Sequence, residues 1–488
     1  MYKKIQNRQF GLKDFNQPIG LTMNPENRWV KKADSIPWEI IEDKYADLFE
    51  SHTGNVAKPL RMALGSLIIQ KEYEYPDREL VEQLTENPYY QYFIGLPGYQ
   101  MEAPFVPSLL VEFRRRLTDE IIGDINDIIL KSRTDNDDPP SPGDGGSGGP
   151  ETPAGNNAGT LILDATCAPQ NIRYPQDVSL LNEVREKMEG IIDHLCDKHN
   201  HCRPRTYRRK ARRDYLSLAK TKKRSTKMIR KAIKKQLSYI RRDRSYIEAM
   251  LEAGCTLDEN KAATLAVLDK VYGQQKHMYD NDIHTVEDRI VSISQPHIRP
   301  IVRGKVKFPV EFGAKLDISL VNGYGRIEKI SFDAYNESQV LPEAIERYKE
   351  REGHYPERVL VDKIYRNRDN IKYCKERGIR ISGPALGRPG KYSLSNKKQE
   401  YADSIDRIGI ERAFSLAKRN YGLGLIRTKR EDTTRGAIAL SILVMNINRI
   451  AAFICPKTVI EFSRFICSIY LKIITDFGIQ GKALAPAA

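Results

Sequence analysis

Three carboxylates stand in settings suited to holding a hard divalent cation. Asp164 closes the apolar run Leu161-Ile162-Leu163, Asp362 closes Val359-Leu360-Val361, and Glu411 lies in the segment 406–421, DRIGIERAFSLAKRNY. A charge at the tip of a buried strand loses its hydration and needs a partner, either a protein donor or a metal. A lone strand-end Asp is more often a turn cap bonded to nearby backbone N–H groups, so Asp164 by itself decides nothing. Its recurrence as Asp362 shifts the balance. In the third segment Ile410, Phe414, Ala417 and Tyr421 form a packed side. Arg407, Glu411 and Lys418, offset by four and then seven residues, fall within about 60° of one another at 100° per residue. On its own such a row reads as a surface ion-pair series worth little.

The elements between these residues decide how they meet. Phe312, Ala314, Leu316 and Ile318 alternate with polar neighbours in 309–320, and Asn322-Gly323 precedes 326–332, the pattern of a β-hairpin. A helix over 341–350, the strand ending at Asp362, a helix reaching Arg377 and the strand 379–381 follow, then a Gly/Pro/Lys-rich loop over 383–398. This order allows a mixed five-stranded sheet flanked by helices, an α/β fold whose first and fourth strands lie side by side and parallel. Both Asp residues would then reach one edge, with Glu411 supplied by a helix packed there. Such an oxygen site suits two ions of Mg²⁺ or Mn²⁺. Paired ions activate a water or a 3′-hydroxyl and stabilise the leaving oxygen of a phosphodiester.

Charge points to the same substrate. The 488-residue chain carries a net +15. Between Arg203 and Arg244 there are 19 Lys or Arg against two acids, Asp214 and Asp243, a local +17, so the rest of the chain is close to neutral. A run of like charge is usually a solvated face, but this one would repel itself and weaken the fold unless a polyanion shared it. Ile229, Ile233 and Leu237 at i, i+4 and i+8 make part of it an amphipathic helix with one packed face. Arg208, Arg209, Lys210, Arg212, Arg213, Lys222, Lys223, Arg224, Arg230, Lys231, Lys234 and Lys235 are the candidate phosphate contacts, with counterion release as the driving term. Just before it, His194, Cys196, His199, His201 and Cys202 match no regular zinc spacing and read as a polar helix end.

The rest of the chain divides around these features. Residues 1–133 read as an all-helical N-terminal domain, with Leu60, Leu64, Leu67 and Ile68 in helical register, a helix start at Pro76-Asp77 and a basic edge at Arg114-Arg115-Arg116. Residues 134–159 are almost devoid of apolar side chains other than Ala and Pro, and read as a disordered linker. The catalytic domain spans 160–455 with the basic helical insertion at about 170–300, and 456–488 form a helical tail. No apolar run reaches the roughly 18 uninterrupted residues of a membrane span, so the C-terminal runs read as core helices and no membrane partner is expected. Seven cysteines without regular spacing argue for a reduced, intracellular protein.

At these residues the chain resembles the DDE transposases of bacterial insertion sequences, most closely the insertion-sequence-five superfamily. The likeness is carried by LILDATCAPQNIRYPQD, VRGKVKFPVEFGAKL, FDAYNES, VLVDKIYRNRDN and RIGIERAFSLAKRNYGLG, in that order. GNVAKPLRMALGSLIIQ, ENPYYQYFIGL and FRRRL are similar to the InsH-type N-terminal domain of the same group. The resemblance implies an RNase H-like core with Asp164, Asp362 and Glu411 as catalytic metal ligands. It implies Arg407 and Lys418 as phosphate-holding residues of a Tyr, Arg, Glu, Lys signature in which Ser404 replaces the Tyr. The implied protein binds the terminal inverted repeats of its element and target DNA as a homodimer or larger synaptic assembly. It hydrolyses and transesterifies phosphodiesters, and acts in the cytoplasm at the nucleoid. A non-catalytic transposase-derived DNA-binding protein and a standalone RNase H-like nuclease are the alternatives.

Overall fold

The computed structural model describes residues 10–17, 22–46, 56–132, 157–302, 310–383 and 394–453. The expected tail at 456–488, most of the linker, the start of VRGKVKFPVEFGAKL and most of the loop after Gly383 lie outside them.

Six strands among the described residues form one mixed sheet: β1 (Thr160–Pro169), β2 (Arg299–Val302), β3 (Val310–Val321), β4 (Tyr324–Ser331), β5 (Arg358–Leu360) and β6 (Arg380–Ile381). Their order is β2-β3-β1-β5-β6, with β4 also on β3. β3 runs antiparallel to β1 over eight residue pairs, and β5 and β6 continue parallel to β1. The order is compatible with an RNase H-like core. It holds one strand more than expected, because Arg299–Val302 pairs with the start of β3 where no period-2 pattern marks it. Asn322 and Gly323 both have positive φ, 51° and 81°, as the two-residue turn between β3 and β4 requires. At Gly313 a Cβ would lie 2.0 Å from the Ala168 carbonyl oxygen, so only Gly lets β3 approach β1 this closely.

Because opposed residues on paired strands share a face, the two sides of the sheet can be read from the register. Ala314, Leu316 and Ile318 face one way and pack with Ala417, Leu423, Ile438, Ile442 and Met445, under helices Leu394–Asn420 and Glu431–Phe453. Leu161, Leu163, Val359 and Val361 face the other way, under helix Val340–Glu352 and against Tyr365 and Cys374. The catalytic-helix candidate starts about a dozen residues earlier than its apolar period indicates, since LSNKKQEYADSI, its first three turns, is mostly polar in sequence and gives no periodic signal.

Between β1 and β2 the chain makes four helices, Asp177–His199, Arg208–Ala219, Thr226–Glu252 and Glu259–Asn281. They enclose a core of their own around Leu181, Val184, Met188, Ile192, Ile240, Leu268 and Val271. The N-terminal helices, from Arg28 to Lys131, pack around Trp29, Trp38, Leu64, Ile68 and Phe93. They do not stand apart from the sheet. Leu440, Leu443, Val444, Ile447 and Ile450 of helix Glu431–Phe453 belong to the same core, as does Tyr324 of β4. Buried Asn446 seals the seam: its Nδ2 donates to Asn126 Oδ1 at 2.8 Å and its Oδ1 accepts from Gly325 N at 2.9 Å. Residues 431–452 are long and apolar enough to cross a membrane by length and composition, unlike the reading from uninterrupted runs, but 67% of the apolar window is buried inside the fold.

Candidate active site and nucleic-acid interface

β1 does not stop at Asp164, as its apolar run suggests, but continues to Pro169 along β3, with Asp164 opposite Ile318. What ends there is the neighbour on the other side. β5 pairs with β1 only from Thr160↔Arg358 to Ile162↔Leu360. Two residues further on, Asp362 lies close enough to Asp164 for its carboxylate to act on it. The chain has left the sheet by then, and Asp362 caps the turn Lys363–Tyr365, its Oδ1 accepting from Lys363 N at 2.7 Å.

The Asp164 carboxylate is largely buried. Its Oδ1 accepts from Ala165 N at 2.8 Å, and its Oδ2 lies 3.4 Å from Arg407 Nη1. Burial pushes its pKa up to about 6. The Ala165 N–H and the Arg407 charge oppose that rise, while the carboxylates of Asp362 and Glu337 add to it. Arg407 also reaches the third carboxylate, with Nη2 3.6 Å from Glu411 Oε1. Glu411 is exposed, and Lys418 lies two turns further along the same helix.

The structure thus brings Asp164 and Asp362 together and ties Glu411 to Asp164 through a guanidinium. Among the described residues no three His, Cys, Asp or Glu side chains converge closely enough to hold a metal ion. The donor set fits a hard divalent cation in kind, being all carboxylate oxygen, with Asp164 part-buried and Asp362 and Glu411 exposed. Asp164 and Asp362 would hold such an ion, with Glu411 brought in from the helix.

Helix Leu394–Asn420 is docked by charge as well as by its apolar side. Buried Asp403 accepts from Arg380 of β6 at 2.6 and 2.9 Å, and Asp406 pairs with Arg358 of β5 at 2.8 Å. Sequence reasoning passed over these, and also over Asp317 on β3. Asp317 is fully buried and accepts hydrogen bonds from the hydroxyls of Tyr335 and Tyr365. The available signal was an acid in the middle of an apolar strand, Leu316-Asp317-Ile318, with FDAYNES and DKIY supplying the two phenols. Glu337, paired with Lys315 at 2.9 Å, is the other missed carboxylate near Asp164.

The basic segment separates into two groups. Arg208 grips Asp193 at 2.6 and 2.8 Å, Arg230 pairs with Asp282, Lys235 meets Asp214 at 2.9 Å, and Arg224 bonds Gln176 and two backbone carbonyls. These four brace the helices. Arg209, Lys210, Arg212, Arg213, Lys222, Lys223, Lys231 and Lys234 are exposed and make no ion pair among the described residues. They form the surface open to a polyanion. In the N-terminal unit, Arg114 of the arginine run is likewise engaged, bonded to Asp77 at 2.6 and 2.8 Å. In the His/Cys stretch, His199 Nε2 accepts from Thr256 N at 3.1 Å at the end of its helix.

Two families match the chain. Residues 359–448, which include Asp362 and Glu411, match the transposase DDE domain, and residues 21–116 match the transposase domain DUF772. A Rhizobium meliloti protein described as uncharacterized protein ORF8 in the nfe locus is 29% identical over 103 residues, 21% of this chain and 49% of that relative. The chain thus spans about half the length of that relative. No solved structure matches.

Proposed function

We propose that the chain, two segments of which match transposase domain families, is a DDE transposase of an insertion sequence that binds the ends of a mobile element, cuts them and joins the freed 3′-hydroxyl to target DNA. The observation that supports this reading is the parallel pairing of β1 with β5, just beyond which Asp362 lies close enough to Asp164 for the two carboxylates to act on each other. Asp164, Asp362 and Glu411 would hold two Mg²⁺ or Mn²⁺ ions, which would supply activation of the attacking oxygen and stabilisation of the leaving one. This chain's own residues do the rest. Arg407, which donates to Asp164 and reaches Glu411, would exchange its carboxylate partner for a phosphate oxygen when the carboxylates take up metal. Lys418, two turns further along the same helix, would hold a phosphate of the same strand. The exposed Lys and Arg of the helical insertion hold the flanking duplex through its phosphates. The partners are DNA ends and target DNA, bound by a dimer or larger assembly.

The test is cleavage of a duplex carrying the element end. Asp164→Asn, Asp362→Asn and Glu411→Gln should each abolish Mg²⁺-dependent cleavage while DNA binding survives. Full cleavage by any of them removes that residue from the site. Cleavage without strand transfer would instead identify a nuclease, and binding without either a DNA-binding derivative.

A further inference from the structure

Past Leu360 no ladder hydrogen bond ties the chain to β1, so something else must fix where Asp362 points. Val361 N donates to Ser382 Oγ at 2.9 Å, towards β6 and away from Asp164. The turn after Asp362 closes when Tyr365 N donates to Asp362 O at 3.1 Å. Tyr365 is fully buried, and its hydroxyl donates to Asp317 Oδ1. Asp317 stands on β3 opposite Ala165, the residue next to Asp164. Its other oxygen accepts from Tyr335, in the segment that leads to Glu337.

We propose that Asp317 is a positioning residue for the metal-binding edge, holding the turn Lys363–Tyr365 to the sheet through the Tyr365 hydroxyl and so setting Asp362 beside Asp164. The inference rests on the transposase reading of that pair. A buried acid sharing two phenols is also an ordinary way to satisfy polar groups. The arrangement separates the two roles, because Tyr335 and Tyr365 each donate one hydrogen bond to the same carboxylate but only Tyr365 belongs to the turn that carries Asp362. Displacing a catalytic group by about 1 Å costs on the order of 100-fold in rate.

Tyr365→Phe and Tyr335→Phe are therefore compared in the full-length protein, by end-cleavage kinetics, DNA binding and Mn²⁺-dependent thermal stabilisation without DNA. Tyr365→Phe should lower kcat by about 10- to 100-fold, leave KM and DNA affinity within about twofold, and raise the Mn²⁺ concentration needed for half-maximal stabilisation severalfold. Tyr335→Phe, at a similar loss of Tm, should keep both the rate and the Mn²⁺ midpoint within about threefold. If Tyr365→Phe does not fold, Asp317→Asn should show the same selective loss. Equal losses in the two Phe variants, or an unchanged Mn²⁺ midpoint in Tyr365→Phe, overturn the proposal. Wild-type cleavage by Asp362→Asn would instead overturn the site reading beneath it.

Discussion

Arg407 donates from Nη1 to Asp164 Oδ2 across 3.4 Å, joining a helix to a strand 243 residues earlier in the chain. The same guanidinium reaches Glu411 at 3.6 Å, so one fixed positive charge serves two of the three carboxylates that would bind metal. Arg407 and a divalent ion therefore compete for the same oxygens.

Arg407→Ala should separate metal binding from catalysis. With the competing cation gone, Mn²⁺ should bind at least as tightly, read as thermal stabilisation. Cleavage should fall by about 10- to 1000-fold as the phosphate loses its charge-assisted partner, with Arg407→Lys in between. Loss of Mn²⁺ binding in parallel with cleavage would show that Arg407 shapes the site rather than competing for it.

Removing the docking charge of the catalytic helix should cost both stability and rate. Arg380→Ala takes two charge-assisted hydrogen bonds from Asp403, which is 4% exposed and keeps Arg358 at 3.6 Å and a hydrogen bond from Gln399 Nε2 at 3.4 Å. Leaving a buried carboxylate half-paired should destabilise the fold by about 1–3 kcal/mol, measured by urea unfolding. Cleavage should drop by more than the unfolded fraction accounts for.

The two groups of basic residues should behave differently on DNA. Replacing Arg209, Lys210, Arg212 and Arg213 with Ala should reduce the slope of log K against log salt by about 3 to 4 if all four meet phosphates. Arg208→Ala, which breaks the clasp on Asp193, should lower the stability of the helical insertion and move the slope by less than about one. Fluorescence titrations at several salt concentrations give both slopes.

Asp243 predicts a pH dependence of stability. It is fully buried on helix Thr226–Glu252, and neither carboxylate oxygen has a hydrogen-bond partner. Burial, followed by the nearby Glu189 carboxylate, pushes its pKa up to about 7, against the pull of Arg185, Arg242 and Arg208. The native state therefore keeps a proton that the unfolded chain releases near pH 4, and this contribution to stability falls as pH rises from about 4 to about 7. Asp243→Asn should remove that fall, making the variant more stable at pH 8 by up to about 4 kcal/mol and no more stable at pH 4. Urea midpoints at the two pH values decide it.

Much of the catalytic face could be read from the sequence, because its parts are short periodic segments with an acid at a fixed place. The hairpin with its Asn322-Gly323 turn, the parallel neighbours carrying Asp164 and Asp362, and the buried side of Ile410 and Ala417 all follow from local pattern. The residues that do not follow are those whose role depends on a partner far away. Asp317 is an alternating polar position until two phenols from other segments reach it, and Arg380 is an ordinary edge cation until Asp403 arrives. The N-terminal helices illustrate the same limit. Their apolar stripes were legible, but not that helix Glu431–Phe453 would complete their core.

The pairing of β1 with β5 also sets a schedule for folding. Thr160 and Arg358, bonded across the two strands at 2.7 Å, are 198 residues apart, so the entropy of closing a long loop must be met before their contact is gained. The four helices inside that loop can collapse first, on contacts much closer in sequence. Asp362, Arg380 and Glu411 leave the ribosome after them, and helix Glu431–Phe453, which covers the sheet and fills the N-terminal core, comes later still. A chain still being made therefore presents the cationic surface of the insertion before Asp362 and Glu411: on the proposed function it would grip nucleic acid well before it had the means to cut it.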